Sequence, residues 1–547
     1  MSAASRIAKY KWLITFLAFL AITHLLYAGT IHAKFIYDWN SWMLHYMREN
    51  WGGFLSAYGD GAMRWGYHLS NVLIWKLFGF NEYGWHFTFI MLHALNSTLL
   101  AMLTHSLLPS SSASRVFIAL TVASLWLTSP YHSETVVWGA TVLYLVSTAL
   151  VLTAALLFLK CSERPGTFYL IVVFLCFAAA LLTHEGAIIL PVLLLTLWWL
   201  TRSHGRSLLR PSRFLLTTLL PMLVIVCLYL LANKLRSGTW VGHYGEASHL
   251  NTDMFLIVPN FTKYVLKLLF IPLFFSFSHR DAVYALLENH TMVWIQLIVW
   301  AVVAGVMLWR FRRTRKQVQV SLALLMLFVI ALLPVINLYF MYYKDIEQDR
   351  YVYLPSAFFY AALVVGLVVV LRKYAVVPLA ACFVLSLCFL NRNTRAWQES
   401  GRISNALLFD FRWQDANRVF VLLTPDNVHG AYCMRSMPIS TLSEMLRVRR
   451  NIDIDDKLFE VYQYNVVSPN DSATYQVLDS NTLRLDLVAP GAWLWHNSFG
   501  ATHRETEHFK ATLNEYYPSF EVTFKNKQPG DVFIYAVDDR WKEVEHF

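Results

Sequence analysis

The chain has 547 residues, of which 57% are hydrophobic, 16% are aromatic and only 15% are charged. This composition excludes an ordinary soluble protein and an intrinsically disordered chain. The formal net charge of +10 does not indicate nucleic-acid binding, because most of the excess lies in short loops that are expected to meet anionic lipid headgroups.

About eleven stretches are long and apolar enough to cross a bilayer, which predicts a polytopic all-α membrane bundle. The first follows Arg6, Lys9 and Lys11 and lacks a clear cleavage pattern, so we predict an uncleaved span rather than a signal peptide. The predicted spans are 12–29, 84–107, 115–129, 137–159, 167–183, 187–201, 214–232, 292–309, 318–338, 353–371 and 374–390.

The charges of the connecting loops predict how these spans are oriented. Short loops on one side carry many basic residues and a single acid, Glu163, and such basic loops are retained in the cytoplasm, whereas loops on the other side carry the remaining acids of this part of the chain. We therefore expect a cytoplasmic N-terminus in the inner membrane of the cell, with the acidic loops facing outward. The acids of the predicted outer face are Asp38, Glu49, Asp60, Glu82, Glu134, Glu185, Glu246, Asp253, Asp281, Glu288, Asp345, Glu347 and Asp349.

Three regions do not form simple spans. The loop 30–83 is rich in aromatic residues, which favours short helices on the outer membrane surface. Segment 254–277 is apolar but contains Lys263, Lys267 and Pro272, and we predict an interfacial or re-entrant helix. The tail is polar, with strand-like alternation at 418–423, 482–487 and 532–536 and a helix predicted over 432–449. These patterns divide the chain into a transmembrane domain, 1–391, and a small extracytoplasmic α/β domain, 392–547.

Five segments together resemble a known family. The segments are YDW at 37–39, 64–77 leading into LHALN at 92–96, SPYHSETVVW at 129–138, THEGAIILP at 183–191 and DRYVYLPS at 349–356. Because these matches come in a recognisable order over about residues 10–400, the sequence is similar to the GT-C superfamily of membrane glycosyltransferases. It resembles bacterial homologues of the protein O-mannosyltransferases and the core of the transmembrane and tetratricopeptide-repeat O-mannosyltransferases, without the repeats.

The resemblance implies transfer of a sugar from a polyprenyl-phosphate donor to an acceptor outside the membrane, with inversion. Such a reaction needs a base for the acceptor hydroxyl and a cation or ordered hydrogen bonds for the leaving phosphate. Asp38 lies just after the first span, flanked by aromatic residues, and the family places its catalytic Asp in this loop. From the residues alone, a solvated acid or a cap for a helix near Asn40 is the alternative.

A second carboxylate must come from elsewhere in the chain or be unnecessary, since Trp39 stands where relatives often have an adjacent acid. Asp60 lies in a good turn sequence, and Glu134 holds the position at which the resemblance implies an acid. His132 and Glu134 also have the chemistry to share a divalent metal, although two ligands are a weak pattern. No cofactor is required by the reaction, so the metal is left open.

Three residues are candidates for binding the donor phosphate. Arg350 stands where an outer loop enters a span, and its alternative is a simple ion pair with Asp345, Glu347 or Asp349. Arg64 occupies a position where relatives have Arg-Pro. His184, followed by Glu185, replaces a common Lys-Glu, and a neutral histidine would weaken phosphate binding there.

Other features shape the functional alternatives. Thr141–Tyr144 replaces a charged pattern found in relatives, so mannose is not assumed as the sugar. His93 and Asn96 are predicted to form hydrogen bonds between helices. A transporter or flippase of lipid-linked sugars would favour paired repeats, which we do not find, and a non-catalytic scaffold would tolerate changes at Asp38 and Arg350. The acceptor is left open among a protein, a glycan and a glycolipid.

Overall fold

The structure is a computed structural model and consists mainly of helices followed by two β-sheets. It describes residues 3–36, 39, 63–109, 114–164, 166–205, 209–238, 240, 252–311, 316–338, 348–435, 441–466, 472–488, 494–495, 503–514, 519–537, 539–545 and 547. Its helices are α1 (Ala3–Tyr27), α2 (Trp65–Phe78), α3 (Glu82–Leu107), α4 (Arg115–Leu127), α5 (Ser133–Val137), α6 (Val142–Glu163), α7 (Thr167–Thr183), α8 (Leu190–Ser203), α9 (Leu220–Ser237), α10 (Met254–Leu268), α11 (Phe277–Glu288), α12 (His290–Phe311), α13 (Lys316–Leu332), α14 (Tyr353–Leu371), α15 (Val376–Asp410) and α16 (Thr441–Met445).

Within the described ranges, eight helical segments are long and apolar enough to cross a membrane. One of them, Asp349–Asp410, contains both α14 and α15, and two further apolar helices, α4 and α7, are shorter. Every predicted span therefore coincides with a helix. The predicted all-α membrane bundle is confirmed, whereas the number of eleven crossings is not.

Polar side chains inside the bundle join its helices by hydrogen bonds. His93 in α3 donates from Nε2 to the Leu127 carbonyl at 3.1 Å and accepts at Nδ1 from the Tyr353 hydroxyl at 2.7 Å. Asn96, one turn later, donates to the Leu145 carbonyl at 2.9 Å. Because unpaired polar groups are costly in an apolar interior, these bonds fix how α3, α4, α6 and α14 pack. The predicted role of His93 and Asn96 is confirmed.

Helices α14 and α15 form a reversed pair. They are separated by the short 3-10 turn Arg372–Ala375, and Arg372 has φ +51°, outside the helical region. Near the start of α14, Ser356 bonds to His132, and in the second half of α15, Asn393 donates to the Pro130 carbonyl at 3.0 Å. The start of α14 and this part of α15 therefore both lie beside the 3-10 turn Pro130–His132, so the chain turns back at Arg372.

Segment 254–277 contains α10, which has 15 residues and is not among the eight candidate spans. Its two lysines are engaged in ion pairs, Lys263 with Glu288 and Lys267 with Asp349. The side chain of Asn260 donates to the Ile336 carbonyl at 2.9 Å, which attaches α10 to the segment that follows α13. This helix thus supports the segment that leads into α14.

The C-terminal part contains two sheets. Their strands are β1 (Arg418–Val428), β2 (Ala431–Tyr432), β3 (Leu458–Val466), β4 (Ala473–Val477), β5 (Thr482–Leu487), β6 (Leu494–Trp495), β7 (His503–Glu505), β8 (Phe509–Leu513), β9 (Ser519–Phe524), β10 (Asp531–Val537) and β11 (Arg540–Glu543). The first sheet has the order β11-β10-β1-β3-β6, and its central strand β1 is parallel to both β10 and β3. The second sheet has the order β4-β5-β9-β8-β7, and all its neighbouring strands are antiparallel.

The predicted strands at 418–423, 482–487 and 532–536 are confirmed. The predicted helix over 432–449 is wrong at its start, because Tyr432 belongs to β2 and the helix α16 begins only at Thr441. The positive φ angles of His429 and Gly430, +48° and +94°, reverse the chain so that β2 pairs with the end of β1. Helix α15 continues through the predicted domain boundary at 391/392 and ends at Asp410.

Candidate active site at the outer end of the bundle

Glu134 and Arg350 form an ion pair although they are 216 residues apart in the chain. Glu134 is in the short helix α5, which follows the 3-10 turn Pro130–His132, and Arg350 is in the turn that precedes α14. The Arg350 backbone N–H also donates to Glu134 Oε2 at 2.8 Å. The Glu134 side chain is fully buried, whereas 13% of the Arg350 side chain is exposed, so only the arginine is open to a ligand.

A tyrosine from the C-terminal sheet completes this pair. The Tyr432 hydroxyl donates to Glu134 Oε1 at 3.2 Å and accepts from Arg350 Nη1 at 3.1 Å. Its ring packs on Trp138, with ring centroids 4.8 Å apart, and the Arg435 guanidinium lies over the Tyr432 ring, 4.8 Å from its centroid. The site is thus built jointly by the bundle and by β2.

Arg64 and Glu185 form a second ion pair nearby. The guanidinium makes two parallel hydrogen bonds to the carboxylate, with Nε to Oε2 at 2.9 Å, and both side chains are partly exposed. Asn233 of α9 accepts from the Met63 backbone N–H at 2.8 Å and holds the start of α2 in place. Gly66 is needed here, because a Cβ at this position would lie 2.3 Å from Thr183 Oγ1.

Aromatic rings connect the two ion pairs. The His184 ring lies 4.6 Å from the ring of Tyr144, which is 6.4 Å from the ring of Tyr351, and Tyr351 lies under the Arg350 guanidinium at 4.8 Å. We refer to Glu134, Arg350, Tyr432, Arg64, Glu185, His184, Tyr144 and Tyr351 as the outer cluster. Tyr144 therefore places an aromatic ring beside His184.

His184 is uncharged at neutral pH. Its Nδ1 accepts from the Gly186 backbone N–H at 3.2 Å, which requires a ring nitrogen without a proton. The pKa of His184 is lowered to about 4, chiefly by burial and also by the nearby Arg64 and Arg350, while Glu185 opposes this shift. His184 therefore offers a hydrogen bond and no constant positive charge, as the sequence suggested for a histidine at this position.

His132 lies apart from the outer cluster. It is fully buried, and its Nε2 donates to Ser356 Oγ at 2.9 Å, while its ring packs on Trp126 and Tyr353. It therefore belongs to the neutral interior network, whereas Glu134 bonds to Arg350. In the part of the chain that the structure describes, no group of three or more His, Cys, Asp or Glu side chains is arranged to hold a metal.

The sequence offered Asp349 as one alternative ion-pair partner of Arg350, and this alternative is wrong. Asp349 is fully buried and pairs with Lys267 of α10, which also lies over the Tyr131 ring at 5.4 Å. Arg350 turns to Glu134 because the short 3-10 turn directs adjacent side chains to different sides. Asp345 and Glu347 lie outside the described residues.

The two acids predicted in the first outer loop, Asp38 and Asp60, also lie outside the described residues. Trp39, the residue after Asp38, is fully buried and packs edge-to-face on Trp85 at 5.3 Å. It contacts the backbone at Gly139, where an added Cβ would lie 2.5 Å from Trp39 Nε1. Trp39 therefore approaches the segment that joins α5 to α6, next to Trp138 of the site.

Sequence reasoning missed Lys34 as well as Tyr432. The Lys34 side chain is fully buried just after the 3-10 segment Ala28–Ala33, donates to the Val136 carbonyl and lies 4.1 Å from the Phe89 ring. It thereby attaches the end of the first span to α5, the helix that carries Glu134. A single lysine at the outer end of an apolar span was the only available signal, and Tyr432 had none.

The outer cluster is suited to binding an anion because its hydrogen-bond donors are held in fixed directions, more than because of its net charge. Each arginine has a carboxylate partner, so the two ion pairs together are neutral. Guanidinium N–H groups held in fixed positions still donate strong hydrogen bonds to phosphate oxygens, and they do so without reorganisation.

Comparisons with known proteins find likenesses among solved structures, where four chains match. A scan against protein-family models and a search of curated proteins find no match. The chain is similar to ArnT from Cupriavidus metallidurans, solved in the apo state, with 13% identity over 84% of this chain and 93% of that chain and a TM-score of 0.33.

Proposed function

We propose that this protein is an integral membrane glycosyltransferase of the GT-C type. It transfers a sugar from a polyprenyl-phosphate donor to an acceptor outside the membrane, which is a protein, a glycan or a glycolipid. The observation that carries this proposal is the partly exposed Arg350, held by Glu134 and Tyr432 at the end of the bundle where the predicted outer loops meet. The tail and this end of the bundle then lie on the periplasmic side.

The proposed reaction is a single displacement with inversion. Asp38 takes the proton from the acceptor hydroxyl as the acceptor oxygen bonds to the anomeric carbon of the sugar. The bond between that carbon and the phosphate oxygen breaks, and the polyprenyl phosphate leaves with the electron pair. Since the leaving group is already a stable anion, no general acid is required.

The outer cluster stabilises the phosphate in this proposal. Arg350 donates to the phosphate oxygens, and Glu134 fixes the position of Arg350 because its own carboxylate is fully buried. Arg64, oriented by Glu185, is the second donor, and neutral His184 adds a hydrogen bond. Asp60 is proposed to support the acceptor, and His132 supports the site indirectly through its bond to Ser356.

The experiment is sugar release from radiolabelled polyprenyl-phosphate sugars by the purified protein, with wild type beside Asp38→Asn. We expect the substitution to abolish release and to leave expression and apparent unfolding temperature unchanged, because an amide cannot accept the proton. Asp281→Asn is the matched control, since Asp281 is an exposed acid of α11 in the same predicted outer face. It should retain wild-type activity.

Two results would contradict the proposal in different ways. Full activity of the Asp38→Asn protein would remove Asp38 as the base while leaving the enzyme class intact. Failure of the wild-type protein to consume any donor in the presence of protein, glycan and glycolipid acceptors would favour a transporter of lipid-linked sugars or a scaffold.

A further inference from the structure

A groove of about 610 Å³ lies between the outer half of α15 and the first sheet of the C-terminal part. Its helix side is formed by Arg392, Arg395, Glu399 and Arg402, which recur every three or four residues and therefore lie on one face of α15. The sheet side includes Val428 and Val466.

This groove is distinct from the outer cluster. Contacts with the outer cluster come from the other face of α15, where Asn393 donates to the Pro130 carbonyl, Trp397 packs near Tyr432 and Ser400 donates to the Tyr432 carbonyl. The two faces of one helix thus serve two different places. A ligand in the groove does not need to compete with a ligand at Arg350.

The sheet side of the groove is formed where parallel strands end. Val428 is the last residue of β1, Val466 is the last residue of β3, and Asp539 follows the end of β10. Because β3 and β10 both follow β1 in the chain and lie parallel to it on opposite sides, the strand order changes direction across the sheet at β1, which is its topological switch point. The crevice beyond the carboxyl ends of strands at a switch point is where open α/β sheets bind ligands.

The charges of the groove are distributed unevenly. Arg402 pairs with both Glu399 and Asp539, with Nη2 to Glu399 Oε1 at 2.7 Å, so the end of the groove farther from the bundle carries one net negative charge. Arg392 and Arg395 are exposed, one helical turn apart, at the end nearer the bundle, which carries two positive charges. The net positive charge of the groove, three arginines against two acids, therefore comes from the end nearer the bundle.

The position of these two arginines selects the class of ligand. The predicted span of α15 ends at residue 390. Arg392 and Arg395 therefore lie at the depth of the lipid headgroups, where phosphate is the abundant anion. Apolar groups such as Ala396 and Val466 line the same groove and offer a surface for the first part of a lipid chain. We propose that this groove binds the phosphate headgroup of a lipid, held between Arg392 and Arg395.

Two sources supply that chemistry, an anionic phospholipid and a polyprenyl phosphate, and one experiment distinguishes them. The purified full-length protein is titrated with phosphatidylglycerol, phosphatidylcholine or undecaprenyl phosphate, and bound lipid is counted by native mass spectrometry. The double variant Arg392→Gln/Arg395→Gln should weaken binding of its phosphate lipid on the order of tenfold, since two charge-assisted hydrogen bonds are lost. Arg392→Lys/Arg395→Lys should retain most of the binding.

The matched control is Arg210→Gln/Arg213→Gln, which removes two exposed arginines from the other predicted side of the membrane. It should leave binding at the groove unchanged. Loss of phosphatidylglycerol binding only in the groove variant identifies a phospholipid site, and loss of undecaprenyl phosphate binding only there identifies a polyprenyl phosphate site. Equal loss in both double variants, or no loss in the groove variant, would overturn the proposal. Sugar release through Arg350 does not enter this measurement, so the two proposals fail separately.

Discussion

The two ion pairs of the outer cluster contain the same chemical groups but differ in their surroundings. Glu134 is fully buried and bonds to the guanidinium, to a backbone N–H and to Tyr432, whereas Glu185 is 18% exposed and bonds to Arg64 alone among the contacts described above. A buried carboxylate with three donors holds its arginine in one position, whereas water can compete for the hydrogen bonds of a partly exposed pair. The comparison indicates that the Glu134 carboxylate holds Arg350 more firmly than the Glu185 carboxylate holds Arg64.

The largest expected effect is that of Glu134→Gln. Removing this charge leaves the Arg350 guanidinium mostly buried without its counter-ion, which we expect to reduce the free energy of unfolding by about 3 kcal/mol and to abolish sugar release. Glu185→Gln is the matched change in the other pair, and its expected loss is smaller, about 1 kcal/mol, because the Glu185 carboxylate is 18% exposed and water can take its place beside Arg64. Apparent unfolding temperatures in detergent, measured beside activity, give the ranking. Equal destabilisation by the two changes would contradict the difference drawn between the pairs.

An intermediate effect is expected for Tyr432→Phe. The substitution removes the hydroxyl that bonds both Glu134 and Arg350 and keeps the ring that packs on Trp138, so the loss of stability should be about 1 kcal/mol. Because Arg350 then loses one of its restraints, we expect kcat to fall several-fold with little change in KM. Tyr475→Phe, in β4, is a control far from the site. If kcat and KM of Tyr432→Phe equal those of the control, the hydroxyl has no role at the site.

The smallest effect at neutral pH is expected for His184→Asn, since its amide oxygen can still accept from the Gly186 backbone N–H. The wild-type residue has a pKa of about 4, below the ordinary 6.5, so between these values the unfolded chain binds more protons than the folded one. The contribution of His184 to stability is therefore complete above pH 6.5 and is lost as the pH falls toward 4. The asparagine variant should show a flatter dependence of unfolding temperature on pH across this window.

The exposed His279 of α11 provides the control for that measurement, and His279→Asn should keep the slope of the wild type. A slope unchanged by His184→Asn would mean that the proton uptake belongs to another residue. Activity at pH 7.5 should differ little between wild type and His184→Asn, because the histidine contributes no charge there.

Periodicity and loop charge predicted much of this molecule, but not its long-range partners. Apolar runs located the helices, and alternation of the spans placed Glu134, Arg350, Arg64 and Glu185 at one end, where the structure brings them together. The sequence could not select Glu134 over the nearer acids for Arg350, because that choice depends on how α5 packs beside the turn before α14. Tyr432 was assigned to a helix, since neither periodicity nor motif reveals that a turn at His429 and Gly430 carries it to a side chain 298 residues earlier.

The contribution of Tyr432 has a consequence for how the protein matures. Glu134 and Arg350 are synthesised and inserted well before Tyr432, which arrives only with the first sheet of the tail. Since β2 is held by pairing with β1, the hydroxyl reaches the ion pair only after these two strands have formed. A nascent chain that has inserted its helices but has not yet folded β1 and β2 therefore has an unfinished site, and folding of this sheet completes its assembly.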